Sequence, residues 1–389
     1  MNPAGATGQR RWREIFLALH LYLGLFAGVI LVITGITGSI IAFGGEIDAW
    51  LNQDLTKAVG EGAARPVDEI FAAARAALPP GAIPRYLNLP RDPERSASLI
   101  YEPGNDTTAS DTYELFVDRA SLKVLGHRLI GRLGHPAAAP IISFITQLHY
   151  TLLLGQTGVV IVGLVSIGLL LSVITGIVLW WPRRGNWAAA FRIKPNAPAV
   201  RLNYDIHKTA GWLSSIVLLV VLFSGIYMNL PQYVTPLVEL FSPAPGWPEN
   251  IQSTPSSDTP ITPGAAAAIV DKLFPDGELM GIGLPAGPTD PYFIRKHAPD
   301  EVTQAYSHRQ VWIDQFSGRI LAVTDPHHYT AGQRFLEWQY PLHSGEAFGL
   351  AGRIIIAVVG MVCPLLYVTG LIRWAQKRER RRSRSKAWS

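Results

Sequence analysis

Two stretches decide the fold: residues 148–183, LHYTLLLGQTGVVIVGLVSIGLLLSVITGIVLWWPR, and residues 342–377, LHSGEAFGLAGRIIIAVVGMVCPLLYVTGLIRWAQK. Each opens on Leu-His, runs through a long apolar segment with few charges, and closes on a basic residue. Aligned on their histidines, Leu148-His149, Gly155, Gly158, Thr175-Gly176, Trp180 and Arg183 fall on Leu342-His343, Gly349, Gly352, Thr369-Gly370, Trp374 and Lys377. So many positions in one register point to an internal duplication.

The rest of the chain extends the pattern. His20, Gly24 and Thr37-Gly38 recur at the same offsets as His207, Gly211 and Ser224-Gly225. A membrane-spanning helix needs about 20 apolar residues, and four stretches are of that kind: 15–43, 159–181, 213–230 and 350–374. The composition agrees, with 48% apolar and only 16% charged residues among 389. Arg10, Arg11 and Arg13 precede the first stretch as in a signal peptide, but its apolar run is too long for one. No small-residue cleavage pattern comes before Glu46 and Asp48, so it reads as a retained anchor.

The sequence pI near 9.3 reflects topology, and a nucleic-acid partner is not expected. Basic residues gather before the first helix, between the second and third (Arg183, Arg184, Arg192, Lys194, Arg201, Lys208), and over 377–386. The positive-inside rule puts these segments, and both termini, in the cytoplasm. The long intervening segments then lie outside. Each carries an alanine-rich helical run, 67–78 or 264–274, then a strand-turn-strand signature. In the first this is Phe116-Val117-Asp118 with Ser121 and Val124-Leu125; in the second it is Trp312-Ile313-Asp314 with Ser317 and Ile320-Leu321. Both halves start and end inside, so the repeats are parallel, related by an axis along the membrane normal.

Ionisable side chains in membrane helices usually serve a function. Four of the ten histidines occupy repeat-equivalent positions: His20 and His207 toward the inner side, His149 and His343 toward the outer. If helical throughout, His149 to Thr175 rises about 39 Å, more than the hydrocarbon core. Each side of the membrane thus has one histidine pair, as a six-coordinate b-type haem requires. Capping of helix ends or headgroup contact is the bland alternative. Zinc or copper fits less well, because each pair supplies two ligands with no carboxylate or cysteine beside it. Cys363 is the sole cysteine, so thiolate clusters and C-x-x-C-H attachment are excluded. Gly24, Gly28 and Gly211 inside, and Gly155 and Gly349 outside, leave room for a flat macrocycle or for close helix packing.

The remaining histidines read mainly as surface or packing residues. His327 and His328, with His135, are candidates for an outer substrate site. Arg353 suits a haem propionate, an anionic substrate or a lipid headgroup. Trp180, Trp181 and Trp374 read as an interfacial belt.

Arg11-Trp12 ahead of His20, Leu148-His149, Asp205-Ile206-His207-Lys208, Leu342-His343 and the Thr-Gly or Ser-Gly pairs resemble the hallmarks of the PepSY-associated transmembrane family. The signatures at Asp118 and Asp314 resemble PepSY modules. The likeness implies an integral membrane α-helical protein, with four transmembrane helices as two parallel repeats and two periplasmic α+β PepSY-like domains. The expected layout has a cytoplasmic N-terminus (1–14), a first span (15–43), a first periplasmic domain (44–145), and a second span with an outer extension (146–181). A cytoplasmic loop (182–204), a third span (205–230), a second periplasmic domain (231–341), a fourth span with its extension (342–374) and a basic cytoplasmic tail (375–389) complete it.

The family includes iron-regulated inner-membrane proteins and haem-bearing ferrisiderophore reductases. The resemblance therefore implies two haem b groups, on His20/His207 and His149/His343, and reduction of Fe(III)-siderophore or another periplasmic acceptor in iron uptake. No strand-linked G-x-G-x-x-G is present, so the expected donor is a membrane quinol or a separate cytoplasmic reductase. Two rivals from other classes are a siderophore or metal transporter or permease subunit, and a non-catalytic PepSY sensor or binding protein.

Overall fold

The computed structural model describes residues 3–104, 111–132, 138–182, 187 and 191–386. In chain order come α1 (Pro3–Phe26), α2 (Gly28–Ile41), α3 (Gly44–Leu51), α4 (Gln53–Thr56) and α5 (Val67–Ala76). Strands β1 (Ile83–Asn88), β2 (Ala97–Glu102), β3 (Asp111–Val117) and β4 (Val124–Arg132) follow. Next are α6 (Ile141–Thr151), α7 (Gly155–Trp180), α8 (Ala199–Asn229), α9 (Pro231–Glu239) and α10 (Pro263–Leu273). Strands β5 (Glu278–Gly283), β6 (Tyr292–His297), β7 (Gln310–Ile313) and β8 (Ile320–Thr324) precede α11 (Ala331–Glu337), α12 (Gln339–Ser344) and α13 (Gly349–Lys386). The chain divides into a helical unit (Met1–Phe43, Ile145–Leu237, Trp338–Ser389) and a sheet unit (Gly44–Phe144, Val238–Glu337).

In the helical unit, Gly155–Trp180, Ala199–Asn229 and Glu346–Glu379 are each long and apolar enough to cross a membrane. A fourth candidate is the pair Arg11–Phe26 and Gly28–Ile41, bent by 57°. An uninterrupted first span was expected; the bend falls at Ala27. The ring of Tyr367 lies where a side chain on Gly28 would stand, 2.6 Å from that position. Glycine-flanked breaks of this kind are a recognised cause of kinks. The bend passes the first span from one neighbour to another: α1 packs on α7, and α2 packs on α13. Leu169, Leu218, Leu222 and Cys363 form a buried apolar cluster, with Leu31, Val165, Val173 and Leu366 packed around it.

The outer extensions of the second and fourth spans are not continuous with them. Leu152, Leu153 and Gly155 have φ of 51°, 60° and 56°, so α6 ends and α7 begins across a left-handed turn. Gly345 and Gly349, at φ of 85° and 58°, make the corresponding break before α13. The 39 Å rise inferred from His149 to Thr175 therefore does not apply, since it required one helix. Gly155 and Gly349 serve the backbone turn, and the space beside each missing side chain is open. A side chain on Gly158 would meet the Thr151 carbonyl oxygen at 1.5 Å, and one on Gly352 the Gly345 oxygen at 2.1 Å. The duplicated glycines are thus explained by the turn. Asn229, at the end of α8, donates to the carbonyls of Tyr150 and Val159 on either side of the first turn.

In the sheet unit the strands form one antiparallel sheet of eight, ordered β4-β3-β2-β1-β5-β6-β7-β8. Each outer segment supplies a four-stranded meander. The two join through Tyr86, Leu87 and Asn88 of β1 against Gly283, Ile282 and Gly281 of β5. The segments expected as two separate domains share one core: Leu87, Leu99, Leu115 and Val117 from one, Ile282, Ile294, Val311 and Ile313 from the other. Ile70 and Ala74 of α5, and Ala266, Ala267 and Val270 of α10, cover it. Thr262 caps α10 by accepting from the Ala265 N–H at 3.1 Å. Asp68, in the first turn of α5, accepts from the Gly264 N–H and the Thr262 hydroxyl, tying the two halves together.

Candidate functional site

The four repeat-equivalent histidines come together as two pairs, both within the helical unit. His20 of α1 and His207 of α8 have ring centroids 6.2 Å apart with an interplanar angle of 76°. His149 of α6 and His343 of α12 stand 6.1 Å apart at 77°.

A helix hydroxyl or carbonyl fixes each ring. The Thr37 hydroxyl donates to the Ile33 carbonyl at 2.7 Å, so its oxygen accepts from His149 Nδ1 at 3.0 Å. Ser224 gives its proton to the Val220 carbonyl and accepts from His343 Nδ1 at 2.9 Å. Thr369 gives its proton to the Leu365 carbonyl and accepts from His207 Nδ1 at 2.8 Å. His20 Nδ1 donates to the Ser172 carbonyl at 2.8 Å. Every Nδ1 therefore carries a hydrogen, which leaves the lone pair on Nε2. No Nε2 of the four has a hydrogen-bond partner among the described residues. That tautomer, oriented by a partner behind the ring, is the one a metal-ligating histidine needs.

The glycine of each Thr-Gly or Ser-Gly pair lets the ring lie against a helix backbone. Counterfactual side chains on Gly38 and Gly176 would meet Cε1 of His149 and His20 at 2.9 Å; on Gly225 and Gly370 they would meet Cε1 of His343 and His207 at 3.4 Å. The contacts of Thr37, Ser224 and Thr369 with the imidazoles were missed in the sequence. The signal was present, since the three lie in the pairs that mark the duplication. Thr175, in the fourth such pair, bonds the carbonyls of Leu171 and Ser172 instead.

These residues fit a bis-histidine haem. Two imidazoles bonded at about 2 Å to one metal ion have centres about 6 Å apart. Among the described residues no three of His, Cys, Asp and Glu gather as a bare-metal site. Beside His20 and His207 is a cavity of about 140 Å³ whose walls include Gly24, Leu169, Val173, Trp180, Lys208, Gly211, Trp212 and Leu366. It is smaller than the roughly 300 Å³ of an ordinary small-molecule pocket. Gly24 has nothing within 4 Å of its missing side chain, and Gly211 only Leu366 at 3.6 Å. Gly28 does not contribute such space, because Tyr367 fills it. Trp180 also departs from a simple interfacial role: it lines the cavity and stacks on Trp212, centroids 3.9 Å apart and planes 6° apart.

The described candidate outer substrate residues are divided between the two units. His135 lies outside the described residues. Arg353 belongs to the helical unit, where it donates to the Ala42 carbonyl at 2.8 Å and stacks over Phe43. His327 and His328 belong to the sheet unit. His327 contacts Asp300 at 2.9 Å, Asp325 at 3.2 Å and Arg309 at 3.2 Å. The hydrogen bond to Asp300 raises its pKa, so it is an ion-pair partner more than an open ligand. His328 is exposed, its N–H bonded to the Asp325 carbonyl. Nearby, burial and the neighbouring Glu301 push the Glu337 carboxyl up to about 7.

The duplicated aspartates are structural locks. Asp118 accepts from the N–H groups of Val59, Gly60, Ala120 and Ser121 and from the Ser121 hydroxyl. Asp314 accepts from Thr254, Phe316 and Ser317 in the same way. Burial alone would raise the Asp314 pKa, but these donors hold it down to about 2.

No curated protein matches the chain. The family model for the PepSY-associated TM region matches residues 17–377, which takes in all four histidines, both units and the turns between them, and the chain belongs to that family of multi-pass membrane proteins.

Proposed function

We propose that the protein is a di-haem b oxidoreductase of the bacterial inner membrane that passes electrons outward to reduce Fe(III) held by a siderophore in the periplasm. The observation that carries this reading is the recurrence of one ring geometry in two places, 6.2 Å at 76° and 6.1 Å at 77°, with Nδ1 occupied in every ring. When bound, each haem iron supplies reversible one-electron chemistry. His20 and His207 hold the inner group, His149 and His343 the outer. Ser172, Thr369, Thr37 and Ser224 keep the imidazoles in the ligating tautomer. The Leu169, Leu218, Leu222 and Cys363 cluster supplies a dry core to the bundle.

The net reaction takes one electron per Fe(III) from an inner donor, a membrane quinol or a cytoplasmic reductase. Ferrous iron is the weaker ligand of hard oxygen donors, so reduction releases it. In this reading the termini are cytoplasmic and the sheet segments periplasmic, as the positive-inside rule expects. The bend at Ala27 is a feature a rocking permease would share, but that reading gives the two matched histidine pairs no task.

The test is an absorption spectrum of the detergent-purified protein before and after dithionite, with a pyridine haemochrome count. About two b-type haems per chain, reoxidised by ferric siderophore, is the expected result. A colourless protein from haem-replete cells overturns the reading.

A further inference from the structure

The cavity beside His20 and His207 has both apolar and polar lining residues. Leu31, Leu169, Val173, Leu218 and Leu366 make it apolar over most of its extent. Lys208 and Trp180 break that pattern. Trp180 Nε1 is buried and has no hydrogen-bond partner among the described residues. An indole N–H in that condition costs free energy unless a ligand accepts from it.

The charges nearby point the same way. Asp205 is fully buried between Arg201 at 3.1 Å and Lys208 at 3.3 Å. Arg373 lies over the Tyr204 ring at 4.3 Å, within electrostatic range of both His20 and His207, with no carboxylate partner among the described residues. Three cations (Arg201, Lys208, Arg373) against one carboxylate (Asp205) leave a surplus of two positive charges. At the positions in register with Lys208 and Trp212 the first half of the chain has Leu21 and Leu25.

We infer that this edge of the inner cavity, with Trp180 Nε1–H as hydrogen-bond donor and Lys208 and Arg373 as counter-charges, binds the two carboxylates of the inner macrocycle and sets its orientation. The inference rests on the haem reading and assigns residues beyond its axial ligands. A planar group with a dicarboxylate edge enters with that edge toward Trp180 and its apolar edge toward Leu31 and Leu218. Trp180 and Lys208 are positioning residues.

The test uses the full-length holoprotein and follows haem transfer to excess apomyoglobin, which reads two release phases, one per site. Trp180→Phe keeps a ring for stacking on Trp212 but removes the donor. It should speed one phase by about tenfold or more, the usual cost of losing a charged hydrogen bond, and leave the other unchanged. Trp181→Phe, at an exposed neighbouring indole that does not line the cavity, should leave both phases as in the wild type. Arg373→Gln should speed the same phase as Trp180→Phe and shift the midpoint potential of that haem alone. Equal acceleration by Trp180→Phe and Trp181→Phe, or none by either, overturns the assignment. The haem count of the wild type is read separately, so absence of haem sinks the proposed function, whereas two haems with unaltered release in Trp180→Phe sinks only this inference.

Discussion

The inner and outer histidine pairs have nearly identical ring geometry and different surroundings. The inner pair sits on two long helices, beside a cavity with Lys208 and the Trp180–Trp212 stack in its wall. The outer pair sits on two short helices, α6 and α12, each set off from the following long helix by left-handed residues. Ring separation is therefore a property of how the bundle packs. The environment of each pair is written separately by its neighbours, and this is what would let two chemically similar groups hold different potentials.

Removing a ligand gives the largest expected effect. His343→Ala should lower the haem count from about two to about one while leaving the spectrum of the inner group intact, and His207→Ala should do the converse. Pyridine haemochrome and low-temperature spectra read this directly. Loss of both groups from either variant would show that the pairs are not independent.

Next come the residues behind the rings. Thr37→Val and Thr369→Val remove the acceptor from His149 and His207, and orienting partners of this kind are worth about 10–100-fold in affinity. Haem retention during dilution measures it. Ser172→Ala should matter far less, because His20 is held mainly by the Ser172 backbone carbonyl.

A smaller effect separates the two rings within each pair. Gly38→Ala and Gly176→Ala force a methyl to 2.9 Å from an imidazole carbon and should cost about 1–3 kcal/mol. Gly225→Ala and Gly370→Ala, at 3.4 Å, should be near neutral, since alanine also favours the helix. Thermal unfolding in detergent ranks the four. Equal losses across all four would remove this distinction.

The smallest effect lies in the sheet unit. The Asp314 carboxyl is held at about 2, below the roughly 3.9 of an unfolded aspartate. Its contribution to stability is thus present above about pH 4 and lost as the pH falls through about 2. Asp314→Ala should flatten that part of the stability profile, read by near-ultraviolet circular dichroism, without changing the haem count.

The two histidine pairs were legible in the sequence because His20/His207 and His149/His343 recur at fixed offsets in apolar helices. Their supports were harder to read. Thr37 meets His149 across 112 residues and Thr369 meets His207 across 162, so no local pattern couples them. The turn after His149 was hidden for another reason: Leu152, Leu153 and Leu154 continue the apolar run, and leucine gives no warning of positive φ. Within the sheet unit, the alanine-rich helices and strand-turn-strand signatures follow from local periodicity. That β1 pairs with β5 does not, because both strands read as ordinary half-buried strands, and which edges meet is decided only in the folded unit.

That central pairing has a consequence for biogenesis. When the ribosome has made residues up to 132, β1 has its β2 neighbour but an open edge, and β5 lies almost 150 residues downstream, beyond two apolar helices. The first meander must wait through insertion of those helices with a sticky edge exposed. Closure of the sheet reports that both halves have been delivered to the same compartment, so a chain with one helix misinserted would be left with an unpaired edge for quality-control proteases to find.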